Sequence, residues 1–151
     1  MSMANNTLSS DDKTRIERAI KMAEYNTSGE IRFFIEDKCK GEVLDRASFV
    51  FARLEMHKTE LRNGVLFYLS TKDRQFAILG DAGINSKVPK DFWETVKTQT
   101  LTYLKTGDIA MGISTGIEAA GEKLKAFFPY QSNDVNELSD EIVEGLPEDR
   151  K

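Results

Sequence analysis

The chain has 151 residues, 40% of them apolar and nine of them Phe, which suits one domain with a substantial core. Its net charge is −4, but seven acids against two bases lie in Gln131 to Lys151, so Met1 to Tyr130 carries +1. That balance offers neither a basic stripe for nucleic acid nor a polybasic patch for a membrane.

One cysteine, Cys39, excludes an intrachain disulfide and a Cys-rich zinc site, and one histidine, His57, excludes a multi-His metal centre. No run of 18 apolar residues is present, and "MSMANNTLSS" lacks the basic and apolar regions of a signal peptide. The expected location is therefore cytoplasmic. Residues 1–8 read as a flexible N-terminus, 9–130 as one folded domain and 131–151 as an acidic, mostly mobile tail with one weakly docked segment, "NELSDEIVEGL".

"LSSDDKTRIERAIKMAEYNTSG" offers Ser9 or Ser10 as N-cap, acids in the first turn, and Ile16, Ala19, Ile20 and Ala23 on one face, which predicts a helix ending near Asn26. "EIRFFIED" follows as a strand apolar on both faces. Val43 to His57 repeats apolar residues at spacings of three and four and predicts a second helix. "GVLFYLS" and "QFAILGD" are strand patterns separated by "TKDR", a hairpin connection. Strand, helix and strand make a right-handed βαβ crossover, with the third strand antiparallel to the second.

A third helix is predicted over about Lys90 to Lys105, with Phe92, Trp93, Val96, Thr100 and Tyr103 inward. A fourth spans Asp108 to Phe128, broken from it at Gly107 and capped by Asp108. Gly112, Gly116 and Gly121 in that helix each cost about 1 kcal/mol relative to Ala, which close packing on a neighbour would offset. The fold expected is a single-domain α/β sandwich, a central mixed sheet flanked by helices on both faces.

Common catalytic motifs are absent. "GDIAMGIS" has P-loop spacing, but Ile113 stands where the phosphate-binding lysine belongs. Six residues rather than five separate Cys39 from Arg46, unlike a thiol phosphatase, and "DAGINSKVPKDF" lacks the acids of an EF-hand loop. The topology instead gathers oxygen donors. Glu30, Asn63 and Asp81 converge where strands one and two begin and strand three ends, a donor set suited to Ca²⁺ or Mg²⁺. Asp81 has two readings there, a cap on the turn that follows and a cation ligand. The opposite edge offers Glu36, Asp37 and Asp73 as an alternative acidic site, with Lys72 and Arg74 near enough to neutralise it.

The order of "TSGEIRFFIED", "KTELRNGVLFYLSTKDRQFAILGDAGI", "FWETV" and "TGDIAMGISTGIEAAGEKLKAFFP" resembles the TPM-domain family, over roughly Leu8 to Tyr130. The resemblance implies an α/β sandwich, divalent-cation binding with calcium foremost, and the acid-phosphatase activity attributed to a plant member. Ser28-Gly29-Glu30, Asn63-Gly64, Asp73-Arg74, Gly80 and Gly83 match family positions, whereas Asp81 stands where relatives often carry an aromatic residue. The functional expectation is a divalent-cation-binding module with weak metal-dependent phosphatase activity, in which Arg62 or Arg74 holds the phosphate. The alternative is a non-catalytic module that grips a protein partner.

Overall fold

The computed structural model describes residues 8–131 and 137–149. The first helix, α1 (Ser10–Asn26), starts at a reciprocal cap: the Ser9 hydroxyl accepts the Asp12 N–H at 3.0 Å, and the Asp12 carboxylate accepts the Ser9 N–H at 3.1 Å. It leads into β1 (Glu30–Glu36), then α2 (Val43–Arg53), β2 (Gly64–Ser70) and β3 (Gln75–Gly80). A short α3 (Ala82–Asn85), α4 (Phe92–Leu104) and α5 (Ile109–Leu124) follow, and the chain closes with β4 (Val143–Glu144).

The sheet order is β3-β2-β1-β4, with β1 parallel to β2 and β4 and β2 antiparallel to β3, as the crossover and hairpin required. Every residue of β2 is buried. Strand alternation divides the core: Phe33, Ile35, Val65 and Phe67 face α1, α4 and α5, while Phe34, Leu66 and Tyr68 face α2. Phe33, Phe34 and Phe67 have no exposed surface, and burial of each stabilises the fold by about 1.5–3 kcal/mol.

Two helices stop earlier than their apolar patterns. The second ends at Arg53 rather than His57, because Glu55 turns into the left-handed region (φ 57°) and drops Met56 wholly into the core. The last ends at Leu124 rather than Phe128, where the chain leaves the helix and the Phe128 carbonyl accepts the Ser28 N–H at 2.9 Å. Tyr103, expected inward, is 37% exposed, while Phe92, Val96 and Thr100 are buried.

Part of the acidic C-terminal segment is also built into the domain. Residues 143–144 pair with Phe34 and Ile35, Leu146 is buried beside α2, and Leu138 packs near them. These anchors are the few apolar residues of "NELSDEIVEGL", the stretch expected to dock.

The glycines of α5 mark its closest approaches. A Cβ on Gly116 would lie 2.1 Å from Thr100 Oγ1 and 3.0 Å from the Phe67 ring; one on Gly121 would lie 2.9 Å from Ala23 Cβ. The helix is thus seated against α4, the sheet and α1 at distances that exclude a side chain. Gly116→Ala is expected to cost about 1–3 kcal/mol by overpacking, read as a lower urea midpoint with unchanged slope. Adding Thr100→Ala should recover part of that loss, since it removes the atom the new methyl meets.

Candidate functional site

Three strand ends meet where the sequence placed its oxygen donors. Glu30 lies opposite Gly64 and Val65 opposite Gly80; the Glu30 N–H donates to the Asn63 carbonyl at 3.0 Å and the Asp81 N–H to the Gly64 carbonyl at 2.9 Å. The turn after β3 presses on the segment before β2. A Cβ on Gly83 would come 2.1 Å from the Leu61 carbonyl oxygen, so only glycine fits.

The carboxylate of Asp81 is fully engaged in this junction. It caps α3 by accepting the Ala82 N–H at 2.8 Å, and it takes Arg62 in a two-point pair, with Nε to Oδ2 and Nη2 to Oδ1 both at 2.7 Å. Burial opposes its charge, but Arg62 and the Ala82 amide outweigh that and hold it below the ordinary Asp value. The cap reading of Asp81 is therefore realised, and Arg62 serves as its partner. Asn63 donates through Nδ2 to the Ser28 carbonyl at 2.9 Å, while its Oδ1 is buried with no hydrogen-bond partner among the described residues.

Glu30 is turned to a different element. Its Oε1 accepts the Leu138 N–H at 2.6 Å, which ties the start of β1 to the C-terminal segment. Burial pushes Glu30 up to about 7, against the Leu138 amide and reinforced by Glu137. Glu24, at the end of α1, is pushed up to about 8, first by burial, then by Asp140 and Glu30, with Lys21 opposing. Arg32 on β1 feels Glu141 and Asp140, so among the described residues carboxylates from α1, β1 and the C-terminal segment crowd here beside Lys21 and Arg32. Sequence reasoning found Glu30 but missed Glu24, Glu137 and Asp140. Nothing local marks them, because over 100 residues separate α1 and β1 from the segment that meets them.

The opposite edge is already neutralised. Glu36 forms a buried pair with Arg46, Nε to Oε2 at 2.9 Å and Nη2 to Oε1 at 2.7 Å, and also accepts the Tyr68 hydroxyl. Arg46 reaches on to Asp149 at 3.1 Å. Arg46 is thus the cation that neutralises Glu36. Asp73 accepts the Ser70 hydroxyl and the Cys39 N–H, the latter at 2.9 Å, and these hold it below its ordinary value although burial works the other way. The Asp37 carbonyl accepts the Lys72 N–H at 2.8 Å, so Asp37 and Asp73 flank the hairpin. Arg74 stands at the hairpin tip in the left-handed region, φ 54°.

Among the described residues, no three His, Cys, Asp or Glu side chains are arranged to hold a metal ion, and no helix is long and apolar enough to cross a membrane. The model of the TPM domain matches residues 2–123. The NMR structure of the BA42 protein from the psychrophilic bacterium Bizionia argentinensis is 42% identical, covering 91% of this chain and 95% of that one with a TM-score of 0.87. The fold is shared more distantly with two N-terminal domains solved by NMR. One, from P. gingivalis, is 15% identical (TM-score 0.67, 83% of this chain and 82% of that one). The other, from the cg2496 protein of Corynebacterium glutamicum, is 16% identical (TM-score 0.59, 91% and 81%). No protein of curated function matches the chain.

The acidic edge sets a sign for the pH dependence of stability. Glu24 and Glu30 bind protons more tightly in the fold than at their ordinary value of 4.5, so the folded state holds more protons between about pH 4.5 and 8. Their contribution is complete below pH 4.5 and is lost as pH rises through 7 and 8. Urea unfolding at pH 5, 6, 7 and 8 is expected to show falling stability, and Glu24→Gln with Glu30→Gln should flatten that slope.

Proposed function

The chain belongs to the TPM-domain family, and from that premise we propose that it is a divalent-cation-binding domain, calcium favoured and magnesium competing, that takes its ion at the acidic edge around Glu30. The observation that carries this reading is the crowding of Glu24, Glu30, Glu137 and Asp140, two of them raised toward or above neutrality by burial and mutual repulsion. A divalent ion relieves that repulsion by replacing protons. Asn63 Oδ1, buried and unpartnered among the described residues, adds a neutral oxygen of the kind calcium accepts. Asp81 would have to release Arg62 to join, so the coordination centres on Glu30 and Glu24, with water completing it.

Such a site binds weakly, with a Kd on the order of 10⁻⁴–10⁻³ M. Weak phosphatase activity is a finer part of the same reading. Arg62 is committed to Asp81 and Arg74 stands beyond the far end of β2 from Glu30, so the activity would rest on the ion itself rather than on either arginine. The adaptor alternative is less favoured at the β1 edge, because residues 143–144 already pair there.

Titrating Ca²⁺ into the full chain while recording amide spectra should give saturable shifts at Gly29, Glu30, Gly64 and Leu138. Glu30→Gln should weaken binding about tenfold or more. Asp81→Asn should leave the affinity unchanged, and lowering the pH from 8 to 6 should weaken it as protons compete. Absence of shifts at these amides sinks the reading. Turnover of an aryl phosphate with Ca²⁺ or Mg²⁺, lost in Glu30→Gln, would support the phosphatase part; no turnover across a concentration series removes it.

A further inference from the structure

Between the β2–β3 hairpin and the turn joining α4 to α5 lies a cavity of about 610 Å³, within the range of about 300–1,000 Å³ typical of small-molecule sites. Its walls are mostly apolar: Leu69 and Phe76 from the strands, Leu101 and Leu104 from α4, and Ile109 from α5. None of the acids of the Glu30 edge lines it.

The charged groups at this cavity are of one sign. Lys72 and Arg74 enter from the hairpin and Lys105 from the opposite turn, and no Asp or Glu lines the space. All three are exposed, and none has a side-chain hydrogen bond or ion pair among the described residues. The hairpin does contain an acid between its two cations, Asp73, but that carboxylate is held by the Ser70 hydroxyl and the Cys39 amide and takes no part in the lining. Thr71 adds a buried hydroxyl oxygen without a partner among the described residues.

We propose that this cavity binds a small organic anion with an apolar body, an acyl or aryl carboxylate, with its chain against Leu69, Phe76 and Leu104 and its head group among Lys72, Arg74 and Lys105. The two halves of the surface select together. A bare inorganic anion pairs with the cations but leaves the apolar wall in water, and a neutral alcohol fills the wall but leaves the cations unpaired. A cationic amphiphile meets like charge. The site is separate from the acidic edge and does not need a bound divalent ion.

The test uses the full chain without added divalent ions, with amide spectra recorded during titration of octanoate, 1-octanol, octylammonium and inorganic phosphate. Octanoate should give saturable shifts at Leu69, Thr71, Leu104 and Ile109, with the other three at least about tenfold weaker. Lys72→Gln combined with Arg74→Gln, at exposed side chains whose loss should spare the fold, should weaken octanoate about tenfold and leave 1-octanol unchanged. The proposal is overturned if octanoate shifts none of these amides, if 1-octanol binds as tightly, if phosphate alone shifts the same amides with equal affinity, or if the double variant, still natively dispersed, binds octanoate undiminished.

Discussion

The parallel pairing of β1 with β2 is the constraint on which the rest of this molecule depends. Two adjacent parallel strands, one of them buried at every residue, cannot leave either face to water. Both faces must be covered, and a chain of this length has few helices to do it. Three long helices pack on the side of Phe33 and Phe67, and they fit only because α5 gives up side chains at Gly112, Gly116 and Gly121 to lie close to α4 and α1. The single helix on the other side, α2, is too short to cover Phe34, Leu66 and Tyr68 alone. Met56 and Leu146 complete that layer.

The same shortage explains the buried ion pair. Arg46 lies on the inner face of α2, where its charge would cost several kcal/mol unpaired, and Glu36, Tyr68 and Asp149 supply the compensation. Replacing one partner alone would strand the other. The pair therefore acts less as a source of stability than as a register mark, fixing α2 on the end of β1 and the 147–149 turn on α2.

The sheet was legible because its strands are short, apolar runs bounded by Gly and polar turns, and the connections between them leave few topologies. The glycines of α5 were legible as a packing signal for the same reason: a helix that accepts their cost needs a close neighbour. What could not be read locally were contacts made across the chain. β4 is two residues in an acid-rich stretch, and its pairing depends on an edge more than 100 positions away. Asp81 was legible as a choice between cap and ligand, but the choice was made by Arg62, whose left-handed backbone (φ 51°) aims it back at the β3 turn. Glu30 could be placed at a strand start, but its acidic company could not, because Glu24 comes from α1 and Glu137 and Asp140 from the far end of the chain.

The bond between Glu30 and the Leu138 amide has a kinetic consequence. A terminal segment held by a few contacts opens locally at less cost than the domain unfolds, because the rest of the core stays packed when it lifts. The acidic edge is thereby assembled from a permanent half, carried by α1 and β1, and a half that arrives with the C-terminal segment. Its lifetime is that of a local docking event rather than of the folded domain. Any ion bound between the halves would share that clock, slowing the departure of the segment while it stays and leaving when the segment opens.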